Sequence, residues 1–218
     1  MAIGRPIEVA AVSAVAQRVW LVRHGETTGE SSIRYHGSND VPLSELGRAQ
    51  VRNLAPLLAG VEFARIVHSP LSRAAESAAI LAERLGIAAE RLVVDERLRE
   101  ISFGACEGLT RAEIEARFPA FWRDYQEHRI DRFPGGEARH EFAARATTAV
   151  ADWVRQHAAG DLLLVAHRGI VRMALCQLLG VPPTGHDPFA VALGSLTVVR
   201  RDGDRWHVEL LGECGPQH

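Results

Sequence analysis

With 218 residues, 47% hydrophobic and 24% charged, the chain has the balance of one globular domain with a sizeable core, which excludes disorder and collagen-like repetition. A formal net charge of -2 supplies no basic field for nucleic acid. All 25 positive side chains are arginine, which excludes Schiff-base, P-loop and kinase-type lysine chemistry; any phosphate must be held by arginine, histidine, backbone amides or a metal.

The three cysteines, Cys106, Cys176 and Cys214, are scattered and odd in number, as in a protein of a reducing compartment. No apolar run approaches a membrane span, and Pro6 and Glu8 interrupt any signal-peptide pattern before the short apolar stretch Val9 to Ala16. The expectation is a cytoplasmic protein with no membrane or nucleic-acid partner.

After an N-terminal extension of residues 1–17, a first strand reads Arg18 to Arg23, nearly continuous apolar residues as in a strand buried on both faces. A polar loop runs to Pro42, and a helix opens at Ser44. A strand from Arg65 to His68 leads into Ser69-Pro70, read as an N-cap and first helical position, and a helix from Leu71 to Leu85 stops at Gly86. Leu92 to Val94 reads as a third strand. Helical pieces between Thr110 and Phe133, interrupted by Pro119, read as a lid over about residues 110–135, whose Phe121, Trp122 and Tyr125 are assigned to core. A long helix from Glu137 to His157, the apolar strand Asp161 to Ala166 and a helix from Ile170 to Leu179 follow. The end reads as a hairpin, Phe189 to Arg200 and Arg205 to Leu211 turned at Asp202-Gly203, before a tail of residues 212–218. Alternating strands and helices predict a single three-layer α/β/α domain over residues 18–211, with a mainly parallel sheet and an antiparallel terminal hairpin.

In such a sheet, ligands bind at the carboxyl ends of the strands. Three strand ends there carry Arg23-His24-Gly25-Glu26-Thr27, His68-Ser69 with Arg73 just beyond, and His167-Arg168-Gly169. Histidines and arginines beside helix N-termini describe a phosphoryl pocket: arginine binds phosphate bidentately, and a neutral imidazole can attack phosphorus. Each histidine alone is as well explained by a structural hydrogen bond. Zinc is disfavoured, since there is no His-Glu-x-x-His or Cys-x-x-Cys and adjacent arginines repel a cation. No metal and no cofactor are expected.

Arg23-His24-Gly25-Glu26-Thr27 resembles the signature of the histidine phosphatase superfamily, the phosphoglycerate mutase-like proteins. The resemblance continues through Arg34-x-x-Gly37-x-x-Asp40-x-Pro42-Leu43-Ser44 and Ser69-Pro70-Leu71-x-Arg73-Ala74. It then takes in Leu98-Arg99-Glu100-Ile101, Gly104-x-x-Glu107-Gly108, Pro134-Gly135-Gly136-Glu137 and His167, covering roughly residues 18 to 200. It implies that His24 is the nucleophile that forms a phosphohistidine and that Arg23, Arg73 and His167 grip the phosphoryl oxygens. Glu100 would protonate the leaving oxygen and later activate water; residue types alone would pair it with Arg97 or Arg99 instead. His36 and Gly37 match a loop that touches substrate, although for His36 an exposed loop position fits equally.

Two positions depart from the family pattern. Glu30 stands where many members have asparagine, and Arg168 where a smaller residue is common; Arg168 either meets a second anionic group of the substrate or pairs with Glu30 or another carboxylate. The stretch around Glu100 and Pro134-Gly135-Gly136-Glu137 is similar to the phosphatase branches, namely α-ribazole phosphatase, broad-specificity phosphatases and fructose-2,6-bisphosphatase. The expected activity is therefore metal-independent hydrolysis of a small phosphorylated metabolite. The alternatives are a phosphoglycerate mutase, whose substrate lysine cannot exist here, and a non-catalytic phospholigand-binding module. Oligomeric state is open.

Overall fold

The computed structural model describes residues 17–127, 129–158, 160–183 and 189–216. The apolar stretch Val9 to Ala16, and with it the expected extension up to residue 16, lies outside the described residues.

The first strand, β1 (Arg18–Arg23), alternates its side chains between two cores, so that Val19 and Leu21 join one apolar cluster while Val22 joins the other. A two-residue strand β2 (Arg34–Tyr35) follows. Helix α1 (Glu45–Arg52) opens as expected: the Ser44 hydroxyl accepts the Gly47 N–H at 3.1 Å. After the single turn α2 (Ala55–Leu58) come β3 (Phe63–His68), two residues longer than predicted, and α3 (Ser72–Leu85), which Gly86 ends with φ +66°. Ser69 does not cap α3. The helix begins at Ser72, whose N–H instead meets Asp40 Oδ1 at 2.7 Å, and the Ser69 hydroxyl, which accepts the Leu71 N–H, keeps its proton for another partner.

Strand β4 (Leu92–Val94) matches the expectation. The sequence pattern did not reveal β5 (Leu109–Thr110), which pairs antiparallel with β2 and is too short to carry a period. Helices α4 (Arg111–Arg117) and α5 (Pro119–Gln126) form the helical insertion, with Pro119 opening α5. Trp122 is buried as assigned, whereas Tyr125 is half-buried at a cavity wall. Helix α6 (Arg139–Gln156) leads to β6 (Asp161–Ala166) and α7 (Arg168–Leu179), which starts two residues earlier than predicted. The hairpin strands are β7 (Ser195–Asp202) and β8 (Arg205–Cys214). β7 is displaced toward the C-terminus, since the segment before Ser195 folds over the β1 end, whereas β8 begins at Arg205 as expected and extends to Cys214, into the predicted tail.

The main sheet has the order β4-β3-β6-β1-β7-β8, with β4, β3, β6 and β1 parallel and the hairpin antiparallel. This is the expected mainly parallel sheet with an antiparallel edge. Leu162, Leu164 and Ala166 pack with residues of α6 and α7, while Leu163 and Val165 pack on the α1 to α3 side. Two buried faces explain the unbroken apolar run of β6, where truncating one leucine to alanine costs about 2–5 kcal/mol. A third cluster, Cys106, Ile114, Trp122 and Phe133, holds the insertion.

Candidate active site

Three adjacent parallel strands deliver the histidines to one edge. Burial leaves His24 4% exposed and His167 0% exposed, with ring centroids 5.1 Å apart. The backbone of His24 is held at both ends, its N–H by the Ala166 carbonyl at 3.0 Å and its carbonyl by the Gly194 N–H at 2.9 Å. Its Nδ1 lies 2.7 Å from the Gly25 carbonyl, an acceptor, so Nδ1 carries the proton and Nε2 keeps a lone pair. Burial, followed by the charges of Arg73 and Arg23, holds the imidazole well below its ordinary pKa and therefore neutral.

For His167, which precedes α7, Nε2 lies 2.7 Å from Ser69 Oγ. Ser69 is fully buried, and among the described residues its hydroxyl meets the Leu71 N–H at 3.3 Å, which it accepts, and Nε2, the acceptor its own proton can reach; donation there leaves the His167 proton on Nδ1. That Nδ1 is buried with no partner in the protein. Burial again dominates in lowering the pKa of His167, with Arg73 second.

Arg73, in the first turn of α3, donates Nη1 to the Asn39 carbonyl and Nη2 to the Gly37 carbonyl, each at 2.7 Å. Arg23 donates Nη1 to the Val191 carbonyl at 2.8 Å. Desolvation lowers the pKa of both guanidiniums, that of Arg23 to about 10, and Arg23 remains cationic at neutral pH. The Nε atoms of both are buried without partners. Three orphan buried donors, on Arg23, Arg73 and His167, thus surround one neutral imidazole, and each costs about 1–3 kcal/mol unless an acceptor arrives. Unpartnered donors of this kind can take up an oxyanion.

A family model for the histidine phosphatase superfamily (branch 1) matches residues 19–213. The chain belongs to this superfamily. It is 33% identical to a glucosyl-3-phosphoglycerate phosphatase of Mycolicibacterium vanbaalenii, over 89% of this chain and 93% of that protein. It is 34% identical to a protein named "Probable phosphoglycerate mutase GpmB" from Yersinia enterocolitica, over 76% of each chain. The native structure of a mycobacterial glucosyl-3-phosphoglycerate phosphatase superposes with a TM-score of 0.77 and 31% identity, covering 90% of this chain and 99% of that one.

In this superfamily member Glu100 sits at the rim of the same pocket, together with Arg23, His24, His36, Gly37 and Arg73. Neither Arg97 nor Arg99 pairs with it: Arg97 binds Asp95 and Asp152, and Arg99 binds Glu96. The Glu100 oxygens instead accept backbone N–H groups, Oε1 from Ile101 and Oε2 from Gly169, both at 3.0 Å. His36 is buried rather than on an exposed loop, with Nε2 at 2.5 Å from the Gly29 carbonyl. Glu30 adopts φ +61° and pairs with Arg34 at 3.2 Å. Arg168 lines both this pocket and a larger neighbouring cavity.

Three contributors escaped the sequence reading. Ser69 sets the His167 tautomer, although its motif position made it look like a helix cap. Glu107 Oε1 gathers the Ser38 N–H and hydroxyl, the Ser102 hydroxyl and the Phe103 N–H, fixing the loop beside Gly37. Arg145 of α6 donates to the carbonyls of Arg97, Arg99 and Glu100 while a bidentate pair with Glu137 holds it. Ser69, Glu107 and Glu137 lie in recognisable motifs; nothing in the sequence marks Arg145.

Proposed function

We propose that the chain hydrolyses small phosphomonoesters without a metal, through a phosphohistidine on His24. The observation that carries this reading is the set of three orphan buried donors, Arg23 Nε, Arg73 Nε and His167 Nδ1, around an imidazole whose Nε2 keeps its lone pair. In the first step Nε2 attacks phosphorus, the ester P–O bond breaks, and protonated Glu100 gives its proton to the departing alcohol. In the second step Glu100 accepts a proton from water, the water oxygen bonds to phosphorus, and the N–P bond returns its electron pair to His24. The two arginines and His167 neutralise charge on the equatorial oxygens, so catalysis is mainly positioning and electrostatics.

Relatives named as phosphatases support hydrolysis over transfer, and glucosyl-3-phosphoglycerate belongs in any substrate panel on the strength of those names. The GpmB likeness keeps mutase activity as the second reading. Among the described residues no helix is long and apolar enough to cross a membrane; the few, scattered cysteines support a reducing compartment, and the location we propose is the cytoplasm.

Incubation with aryl phosphate in EDTA should release phosphate and form an acid-labile, base-stable phosphoenzyme that His24→Ala abolishes. A requirement for Mg²⁺ or Zn²⁺, or a phosphoenzyme that survives in His24→Ala, would refute the mechanism. Interconversion of 3- and 2-phosphoglycerate with a bisphosphoglycerate primer, faster than phosphate release, would favour the mutase.

A further inference from the structure

Beside its three unpartnered donors, the pocket of His24 holds a buried group of the opposite polarity. His36 lines the same pocket and is 8% exposed. Its Nε2 faces the Gly29 carbonyl at 2.5 Å and therefore carries the ring proton, which leaves a lone pair on Nδ1. Among the described residues that Nδ1 is buried without a partner. The seat of the ring is closely fitted, since a Cβ on Gly29 would lie 2.7 Å from His36 Cε1 and 2.8 Å from Nε2. The neighbouring Gly37 carbonyl accepts Arg73 Nη2 at 2.7 Å, so the loop that carries His36 is tied to one of the pocket's guanidiniums.

The charged groups around His36 keep its lone pair available. Burial lowers its pKa; the Gly29 carbonyl and Glu26, in the loop after β1, oppose this, while Arg73 of α3 and Arg34 of β2 reinforce it. His24 is near enough for a charge on His36 to lower its own pKa, and Glu107 packs beside Gly37. The imidazole of His36 is therefore neutral at neutral pH, and Nδ1 acts as an acceptor.

The N–H groups of Arg23, Arg73 and His167 match phosphoryl oxygens that carry only lone pairs. A lone pair on His36 Nδ1 matches an oxygen that carries a proton and repels one that does not. A phosphomonoester has such an oxygen only as its monoanion, below a second pKa of about 6. Its dianion, sulfate esters and sulfonates have none. A site that accepts a hydrogen bond from a ligand hydroxyl disfavours the analogue lacking it, because the buried acceptor is then left unpaired.

We propose that His36 makes the pocket selective for a singly protonated phosphoryl group, whose hydroxyl donates to Nδ1, and hence for the phosphomonoester monoanion over the dianion and over sulfuryl groups. The proposal rests on the phosphatase reading above and adds the ionic form of its substrate.

Methylphosphonate and methanesulfonate test this as a pair, by titration calorimetry on the whole chain. At about pH 6.5, where His36 is neutral, each ligand carries one negative charge and a methyl group in place of the ester oxygen. Only the phosphonate has a proton to donate, and it should bind about 10–100-fold more tightly. Phosphorus NMR should show the bound phosphonate still as the monoanion at a pH where the free ligand has become the dianion. His36→Phe, which keeps a ring against Gly29 and removes the lone pair, should erase most of the preference and the retained proton. Equal binding of the two ligands, or a preference that His36→Phe leaves intact, would overturn the proposal. So would a bound dianion in the parent protein, whether or not the variant folds. If the phosphonate binds without these signs, only this proposal falls; if neither ligand binds, the phosphoryl pocket and the phosphatase reading fall with it.

Discussion

A buried imidazole next to two guanidiniums stays neutral because charging it would cost desolvation and repulsion together. His24 and His167 both sit in this condition, with burial the larger cause and Arg73 the next. In the unfolded chain the same rings take up a proton near their ordinary pKa of about 6.5. Below that pH the unfolded state therefore binds protons that the folded state refuses, and stability present above about pH 6.5 is lost as the pH falls. Each such group contributes a slope of about 1.4 kcal/mol per pH unit between its unfolded and folded pKa. Calorimetric melting from pH 7.5 to 5 should show Tm falling on the acid side, and His167→Asn should make that limb shallower. Identical acid limbs in the two proteins would show that His167 is protonated in the folded state. The proposed attack of His24 on phosphorus needs the same neutrality, since an imidazolium has no lone pair to give.

At the scale of elements, the position of Glu100 depends on two helices rather than on its own loop. The first turn of α7 presents the Gly169 N–H to Oε2, and a Cβ on Gly169 would lie 2.3 Å from Glu100 Oε1. From α6, Arg145 ties down the carbonyls of Arg97, Arg99 and Glu100 itself. Gly169→Ala places its methyl in the space the carboxylate occupies, although alanine suits a helix better than glycine by about 1 kcal/mol. The expected result is a folded protein, with Tm within a few degrees of the parent, whose kcat falls about 100-fold because displacement by ~1 Å is enough. Retained kcat would mean that Glu100 does not need this position. That glycine stood in the sequence as His167-Arg168-Gly169, but the helix was read as starting at Ile170, so its contact with Glu100 was not visible. The partner lies 69 residues away in the chain, and no local pattern encodes such a distance.

Across the whole molecule, the absence of lysine has a direct consequence. The only amine in a chain without lysine is the terminal one, whereas the phosphoryl pocket is lined by Arg23, Arg73 and Arg168. Succinimidyl esters should leave activity unchanged, while phenylglyoxal, which attacks guanidinium groups, should abolish it, with inorganic phosphate protecting. Inactivation by the amine reagent, or phenylglyoxal inactivation that phosphate does not slow, would contradict an arginine-built pocket.

What the sequence by itself determined about this protein is set by local physics. Apolar runs made β1 and β6 legible as two-faced strands, glycine marked the end of α3, and motif order singled out His24, Arg73, Glu100 and His167. Only the tertiary structure decided which nitrogen of each histidine holds the proton, because Gly25 and Ser69 set that by contact. It also decided that Glu30 pairs with Arg34, that Glu100 is held by backbone amides rather than by a neighbouring arginine, and that the lid rings wall a cavity. These outcomes depend on hydrogen-bond geometry at about 3 Å between groups far apart in the chain, and residue type alone carries no such distance.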